Sequence, residues 1–266
     1  MKILKDKKII ITGANGGIGN EIVKLLANEG ANLTLISFDE EILQKNCNKI
    51  RKKNGKTSYI VSDFSSIKGI KETAEIISEM DDIYMIIHLA GMMNFNSLGL
   101  QSFEDIEKLY NVNLLAPVML TKALLPKMIK NKSGHIVNIG SIFGSIALPY
   151  YAIYSSSKAG LRGFSESLSR ELEDSGVKVS YLAPRTVKTP INNGKAAEFN
   201  KRTKANVDEP KEIAAKIIKS IKNEKKFSYF GFPEKLFVKV NYLFPSIVSK
   251  AIKSQTAIAR EILMND

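Results

Sequence analysis

The chain has 266 residues, of which 44% are hydrophobic and 25% are charged, which is ordinary globular composition with enough apolar material for a large core. A single cysteine excludes an internal disulfide, and two histidines far apart in sequence argue against a metal site, so we predict no metal and a reducing, cytoplasmic setting. No run of 18 uncharged apolar residues is present, so no membrane span is expected. The net charge of +12 is concentrated after residue 194, where an anionic membrane surface or nucleic acid could exploit it, although a lysine-rich proteome would give the same excess.

Strand-like and helix-like segments alternate through most of the chain. Strands are predicted at 7–13, 31–38, 57–65, 83–91, 135–141, 177–184 and near 227–230. Helices are predicted at 16–30, 40–55, 67–80, 102–134, 150–176 and around 209–223, followed by a helical tail. Such alternation predicts an α/β fold with a parallel sheet of about seven strands and helices on both faces.

The first predicted strand runs into 12-TGANGGIG-19, which places three glycines between a strand and a helix. A chain without Cβ atoms can turn tightly and let a pyrophosphate approach its backbone, where the helix N-terminus presents free N–H groups. The pattern alone also fits a tight turn that packs a helix on a sheet, but its place after the first strand favours dinucleotide binding.

The end of the second strand should read the adenosine ribose, where an acid favours NAD and a cation favours NADP. The residues there are Ser37 and Phe38, followed by Asp39. Asp39 could reach the ribose hydroxyls but lies two residues late, and Ser37 could accept a phosphate without a clash. The sequence therefore predicts NAD or NADP and leaves the preference open.

Tyr154 and Lys158 are four residues apart on one predicted helix and so share a face. An ammonium near a phenol favours the phenolate and lowers its pKa from about 10, which suits the pair to proton transfer with a substrate oxygen. Ser141 ends the fifth strand, where an open α/β sheet delivers residues to ligands, and its hydroxyl could hold a carbonyl. Asn113 is a poor helix former inside a long helix, which fits a kink, a bound water or a buried, satisfied amide.

Together these motifs resemble the short-chain dehydrogenase/reductase family, from about residue 7 to 190. The resemblance implies a Rossmann-type single domain over 1–233 and an NAD(P)-dependent oxidoreductase, usually dimeric or tetrameric through its two long helices. It implies Tyr154 as general acid/base, Lys158 as its partner and ribose anchor, Ser141 as the carbonyl-orienting group and Asn113 as holder of a relay water. The residues implied to bind the cofactor, besides Tyr154 and Lys158, are Gly13, Asn15, Gly16, Gly17, Ile18, Gly19, Ser37, Asp63, Phe64, Ala90, Gly91, Pro184, Val187 and Thr189.

Two departures from the family pattern stand out. His88 occupies the place of an asparagine that braces neighbouring strands, and bracing is a better interpretation for it than catalysis. Arg185 follows Pro184 where the family usually has glycine. It could attract an anionic substrate or point to solvent, and we include it as a substrate-binding candidate.

The last third of the chain should determine substrate choice. A polar loop at about 190–208 is predicted to act as a lid. Residues 234–266 form a predicted amphipathic tail, with Pro245 starting a second helix and lysines between the apolar positions. The tail could pack on the core or on a partner subunit, or dock on the inner surface of an anionic membrane or shape a lipid-like pocket.

The favoured function is that of a carbonyl reductase or alcohol dehydrogenase that uses NAD(P)(H) on a small, apolar or lipid-like molecule. The alternative is a non-catalytic dinucleotide sensor or scaffold, for which a missing tyrosine or lysine would be the expected sign. Nucleic acid is not an expected partner, because the sequence has neither a zinc finger nor interleaved aromatic and basic residues.

Overall fold

The computed structural model describes residues 3–52 and 55–264 and has a seven-stranded parallel sheet at its centre. The strand order is β3-β2-β1-β4-β5-β6-β7, which confirms the predicted Rossmann-type architecture. The strands are β1 Lys8–Thr12, β2 Asn32–Ser37, β3 Thr57–Val61, β4 Ile83–His88, β5 Gly134–Ile139, β6 Val177–Ala183 and β7 Phe227–Tyr229.

Helices follow the strands and cover both faces of the sheet. They are α1 Gly17–Glu29, α2 Glu40–Arg51, α3 Ile67–Ser78, α4 Phe103–Tyr110, α5 Ala116–Lys130, α6 Ala152–Glu171, α7 Lys195–Arg202, α8 Pro210–Lys222, α9 Glu234–Leu243, α10 Pro245–Ala251 and α11 Lys253–Met264. Lys53 and Asn54, to which the second predicted helix extends, lie outside the described residues, as do 1–2 and 265–266.

The two faces of the sheet bury separate apolar clusters because successive strand residues point to opposite sides. Ile9 and Ile11 of β1 pack with α1 and α8, whereas Ile10 between them packs with α3, α5 and α6. The unbroken apolar run of β4 follows from this burial on both faces. The carboxyl ends of the strands are therefore held at one edge of the sheet, where ligands bind in this fold.

The helix predicted over 102–134 contains a π-helical turn at Asn111–Leu115 between α4 and α5. Ser102 caps α4 as predicted, since its side chain accepts a hydrogen bond from the Asp105 amide at 3.0 Å. By length and mean hydropathy of 1.3 the stretch Phe103–Lys130 could cross a membrane. Val112, Leu120 and Leu124 are instead buried against the sheet, as in a core helix of a soluble protein.

The segment predicted as a polar lid loop is more ordered than its composition indicated. It holds a short 3₁₀ turn at Pro190–Asn192 and then α7, whose Phe199 is buried. The tail is helical as predicted, and Pro245 begins α10. Val238 and Val248 anchor the tail against Ile142 and Ile146.

Candidate active site

The glycine loop lies at the carboxyl end of β1 and is packed too tightly for side chains. Gly13 has φ of +65°, and a Cβ atom on it would lie 2.6 Å from the Ala90 amide nitrogen. A Cβ on Gly17 would lie 2.7 Å from the Thr189 side chain. The loop therefore brings together three predicted cofactor-binding segments that are distant in sequence.

The N-terminus of α1 fits a pyrophosphate. Gly16 caps the helix without a side-chain hydrogen bond, and the first turn holds no acidic residue. The free N–H groups and the positive end of the helix dipole are therefore available to an anion. Ile18 packs on the core below, and Gly19 lets the helix approach the carbonyl of Gly13.

The predicted adenosine end lies at the carboxyl ends of β2 and β3. The Asn15 side chain donates to the Asp39 carbonyl at 3.1 Å, and the Asp39 carboxylate caps α2 by accepting from Ile42 N at 3.0 Å. Ser37 is buried, whereas Phe38 projects into solvent. None of Ser37, Phe38 and Asp39 is a basic residue that would bind the 2′-phosphate of NADP. Asp39 is engaged in capping α2, so both NAD and NADP stay compatible with this end of the site.

The loop after β4 is braced from below. Thr12 Oγ1 accepts hydrogen bonds from Leu89 N at 3.1 Å and Ala90 N at 3.2 Å. After β3, at the edge of the sheet, the Asp63 carboxylate accepts from Ser65 N and Oγ, and Phe64 is buried beside it.

The predicted catalytic residues meet beyond the ends of β5 and β6. Ser141 lies two residues after β5 and is held by the Phe143 amide, which donates to its Oγ at 3.1 Å. Lys158 is buried on α6 and donates to the Ile139 carbonyl at 3.2 Å, with its Nζ 6.0 Å from the centre of the Tyr154 ring. A Cβ on Gly144 would lie 2.8 Å from the Lys158 backbone, so this glycine lets α6 pack closely.

The electrostatics of the pair differ from the prediction. Burial raises the pKa of the Tyr154 phenol, while its interaction with Ser141 acts in the opposite direction. Burial also lowers the pKa of Lys158 to about 8. The predicted lowering of the tyrosine pKa by Lys158 is not found here, because desolvation of the buried phenol is the largest influence on its pKa.

Asn113 lies in the π-helical turn, and its side chain is fully engaged. Its Oδ1 accepts from Met92 N at 2.8 Å, and its Nδ2 donates to Met92 O at 2.8 Å and Ser157 Oγ at 3.0 Å. These bonds tie the loop after β4 to α6, and they fit the buried, satisfied amide among the sequence alternatives. Gly91 completes the junction, because a Cβ there would lie 3.4 Å from Asn113 Oδ1 and 3.7 Å from Lys158 Nζ.

His88 has a structural contact, as favoured from the sequence, but its partner is on a helix and not on the neighbouring strand that was predicted. Its Nε2 lies 3.0 Å from Thr121 Oγ1, which links β4 to α5. Burial lowers its pKa to about 3, so the ring is neutral at physiological pH.

The Arg185 side chain is bound by other residues of the same chain and not left free for a ligand. Its guanidinium donates to both carboxylate oxygens of Asp208 at 2.9 and 2.8 Å, to Glu234 Oε2 at 3.0 Å and to the Phe232 carbonyl at 3.2 Å. Two carboxylates thus neutralise the charge that was predicted to attract an anionic substrate, and this arrangement gives that role no support. Pro184 beside it accepts from Ile142 N at 3.0 Å.

Near Thr189 the structure has a cavity of about 350 Å³ between the end of β6 and α7. Val187 and Thr189, both predicted to bind cofactor, line it together with Asn192 and Asn200. Asn192 also donates to the Val187 carbonyl at 2.8 Å, which fixes the start of the predicted lid segment.

An aromatic wall stands beside Tyr154 and was missed in the sequence. Phe143 lies edge-on to Tyr154 at 6.1 Å, and Tyr151 lies 5.0 Å from Phe143. Phe95 stacks on Tyr151 at 4.8 Å, and Phe199 of α7 follows at 5.1 Å. The closeness of Phe143 to Ser141 was a usable signal, but nothing local indicated that Phe95 and Phe199 would join them.

The chain matches the family model for short chain dehydrogenase over residues 7–200. A similar relative is the ketoacyl reductase HetN of Nostoc sp., which is 31% identical over 235 residues covering 84% of this chain and 78% of the relative.

Solved structures share the fold. A short-chain dehydrogenase from Sphingobium yanoikuyae in complex with NADPH superposes with a TM-score of 0.79 at 23% identity, over 93% of this chain and 95% of that one. A short-chain dehydrogenase/reductase from Burkholderia phymatum in complex with NAD gives a TM-score of 0.82 at 19% identity, over 92% and 95%. With the family model matching most of its length, the chain belongs to the short-chain dehydrogenase/reductase family of oxidoreductases.

Proposed function

We propose that the protein interconverts a carbonyl and an alcohol with NAD(P)(H), using Tyr154 as the proton donor or acceptor. The observation that carries the proposal is the convergence of Ser141, Tyr154 and Lys158, with the loop after β4 lying against both Lys158 and Gly13. The relatives named above, a ketoacyl reductase and proteins in complex with NADPH or NAD, support it. Either cofactor fits the residues present.

The nicotinamide, when bound, supplies or takes up a hydride. Gly13 to Gly19 and Thr189 would hold the pyrophosphate and nicotinamide ends, and Asp63 and Phe64 the adenine end. In the reductive direction the Ser141 hydroxyl orients the substrate carbonyl and Tyr154 donates its proton to the oxygen. Because burial raises the pKa of Tyr154, the phenol remains protonated at neutral pH, which suits it to this step.

Lys158 and Asn113, which both lie next to Gly91, would support the proton transfer. A Lys158 ammonium can donate to a ribose hydroxyl and stabilise the phenolate left after transfer. Asn113 holds Met92 and Ser157 in place, and the relay water implied by the family would lie in this region.

The substrate is proposed to be apolar or lipid-like. Phe143 is partly exposed and lies edge-on to Tyr154, and the buried Phe95, Tyr151 and Phe199 belong to the apolar cluster on which it packs, which favours hydrocarbon over charged groups beside Tyr154. Arg185 is already neutralised by Asp208 and Glu234, so its charge gives little attraction for an anionic substrate. We also propose a cytoplasmic homodimer or homotetramer, as is common in the family, with peripheral contact to the inner membrane surface.

Titration of the purified protein with NADH and NADPH, followed by nicotinamide fluorescence, tests this function first. We expect saturable binding of at least one cofactor and oxidation of the bound form by apolar ketones. A folded protein that binds neither cofactor would overturn the proposal and favour a scaffold. Binding without turnover on a broad ketone panel, unchanged by Tyr154→Phe, would favour a sensor.

A further inference from the structure

Helix α9 presents apolar side chains to solvent and polar ones to the protein. Leu236, Phe237 and Leu243 are 49%, 46% and 72% exposed. On the opposite side Val238 is buried against Ile142, and Val240 is partly buried in the same cluster. A helix that merely covers a core would have its apolar face turned inward.

The inward contacts of α9 combine the apolar packing of Val238 and Val240 with hydrogen bonds. Asn241 Nδ2 donates to the Ser145 carbonyl at 2.9 Å, and the Tyr242 hydroxyl accepts from Arg162. These contacts fix the rotation of the helix, so its outward apolar side is part of the folded arrangement.

The exposed apolar side continues through the turn into α10, where Phe244 is 56% exposed. We call this the tail surface. It consists of Leu236, Phe237, Leu243, Phe244 and Ile247.

Lysines lie between the apolar residues of the tail surface, and the acidic residue before them, Glu234, is paired with Arg185. From 235 to 253 the sequence has four lysines and no aspartate or glutamate. All four are exposed, and none forms an ion pair with a residue in the described ranges 3–52 and 55–264. The lysines are Lys235, Lys239, Lys250 and Lys253.

We propose that the tail surface docks on an anionic lipid membrane. Leucine and phenylalanine side chains can enter the boundary of the acyl chains while the lysines remain at the level of the lipid phosphates. A second copy of the chain is a poorer occupant, because a two-fold contact would place the same lysine rims close to each other. Nucleic acid would match the lysines but not the protruding leucines.

The helices that carry the tail surface pack directly on residues next to the candidate active site. Val238 packs on Ile142, the residue after Ser141, and α11 adds Ala259 and Ile262 to the aromatic wall around Tyr151. Docking would therefore hold the substrate side of the site near the bilayer. That delivery of a lipid-like substrate rests on the proposed function, whereas docking itself does not.

Flotation of the full-length protein with vesicles of phosphatidylcholine, with and without phosphatidylglycerol, tests the docking. We expect binding to the phosphatidylglycerol vesicles that falls at least about ten-fold when the four lysines of the tail become glutamine. Replacing the exposed Lys45, Lys49, Lys108 and Lys122 by glutamine removes the same charge elsewhere and should change binding by no more than about two-fold. The variant Leu243→Ser/Phe244→Ser should also lose binding, because it removes exposed apolar side chains that would enter the acyl-chain boundary.

NAD(P)H titration of the same preparations separates the two proposals. Cofactor binding without flotation overturns docking alone, and flotation without cofactor binding leaves docking intact while the proposed function fails. Equal loss of binding in both lysine variants would show nonspecific attraction and overturn the docking site. Self-association without vesicles that is lost in Leu243→Ser/Phe244→Ser would overturn membrane docking in favour of a second copy of the chain. Salt-sensitive retention on DNA in place of flotation would overturn it in favour of nucleic acid.

Discussion

The sheet and the tail use apolar residues in opposite ways. All six residues of β5 are buried, whereas α9 buries one of its ten. In the sheet, hydrophobic side chains stabilise the fold and position the strand ends that carry Ser141 and its neighbours. In the tail, comparable side chains contribute little to folding and remain available for an external surface.

This difference means that equal substitutions should have unequal consequences. A change near the strand ends should alter catalysis or stability, while a change on the tail surface should alter membrane binding alone. Arg185 connects the regions, because it joins the end of β6 to Glu234 at the start of α9.

The largest effect is expected for Tyr154→Phe. The variant keeps the ring that packs edge-on against Phe143 but removes the proton donor, so the fold should persist while kcat falls by about 10²–10⁴-fold. Steady-state kinetics on a water-soluble ketone, with NAD(P)H affinity measured in parallel, checks this. The tail variant Leu243→Ser/Phe244→Ser serves as the control and should keep its kcat; a Tyr154→Phe enzyme with more than a tenth of parental kcat would contradict the assignment.

Arg185→Ala should give the next largest effect, on stability. It leaves the Asp208 carboxylate, which is 7% exposed, and the Glu234 carboxylate without their cation, which should lower the free energy of unfolding by about 3 kcal/mol. Denaturant unfolding measures this, and limited proteolysis should show earlier cleavage within 234–264. Arg185→Lys is the matched control, with an intermediate loss expected because it keeps the charge but not the two-pronged geometry. Unfolding of Arg185→Ala within about 0.5 kcal/mol of the parent would contradict this role, since that is the usual range for surface substitutions.

The fold was predictable because its signals are local and repeated. Apolar runs such as β4 alternate with amphipathic helices, and Gly13 and its neighbours mark the first turn between them. The order of Ser141, Tyr154 and Lys158 likewise follows from positions along the chain. Their meeting at one edge follows from the parallel sheet.

Features that depend on distant partners were not predictable in the same way. Arg185 follows β6 in the sequence, but its neutralising carboxylates lie 23 and 49 residues further on. The polar composition of 190–208 concealed Phe199, which is buried only because Phe95 and Tyr151 meet it. The pKa of Tyr154 was predicted from a helical neighbour, whereas burial by the whole site controls it.

A third effect concerns acid, and it should be confined to the sheet region. Burial lowers the pKa of His88 to about 3 and that of His135 to about 4, so both stay neutral in the folded protein below pH 6.5, while the unfolded chain takes up their protons. The unfolded state then binds more protons, and stability must fall as pH falls from about 6.5 towards 4. At pH 5 each histidine should lower the free energy of unfolding by about 2 kcal/mol relative to its value at pH 7 or above.

His88→Asn tests this contribution, since asparagine can still bond Thr121 but does not titrate. Free energies of unfolding at pH 7 and pH 5 should differ by about 2 kcal/mol less in the variant than in the parent. Identical pH dependence in the two proteins would show that His88 is not the source.

The smallest effect is expected at the cofactor's adenosine end, where Asp39→Ser should shift the ratio of NADPH to NADH affinity about ten-fold towards NADPH, or about 1.4 kcal/mol. Serine can still cap α2 in place of the carboxylate that accepts from Ile42 N, so the helix should be preserved while the negative charge is removed. Asp39→Asn, which also caps, should behave alike, whereas Asp39→Ala should cost about 1 kcal/mol of stability as well. Paired fluorescence titrations measure the ratio. An unchanged ratio in both capping variants would mean that Asp39 serves α2 alone, and Ser37 would then be the remaining residue of this strand end to read the ribose.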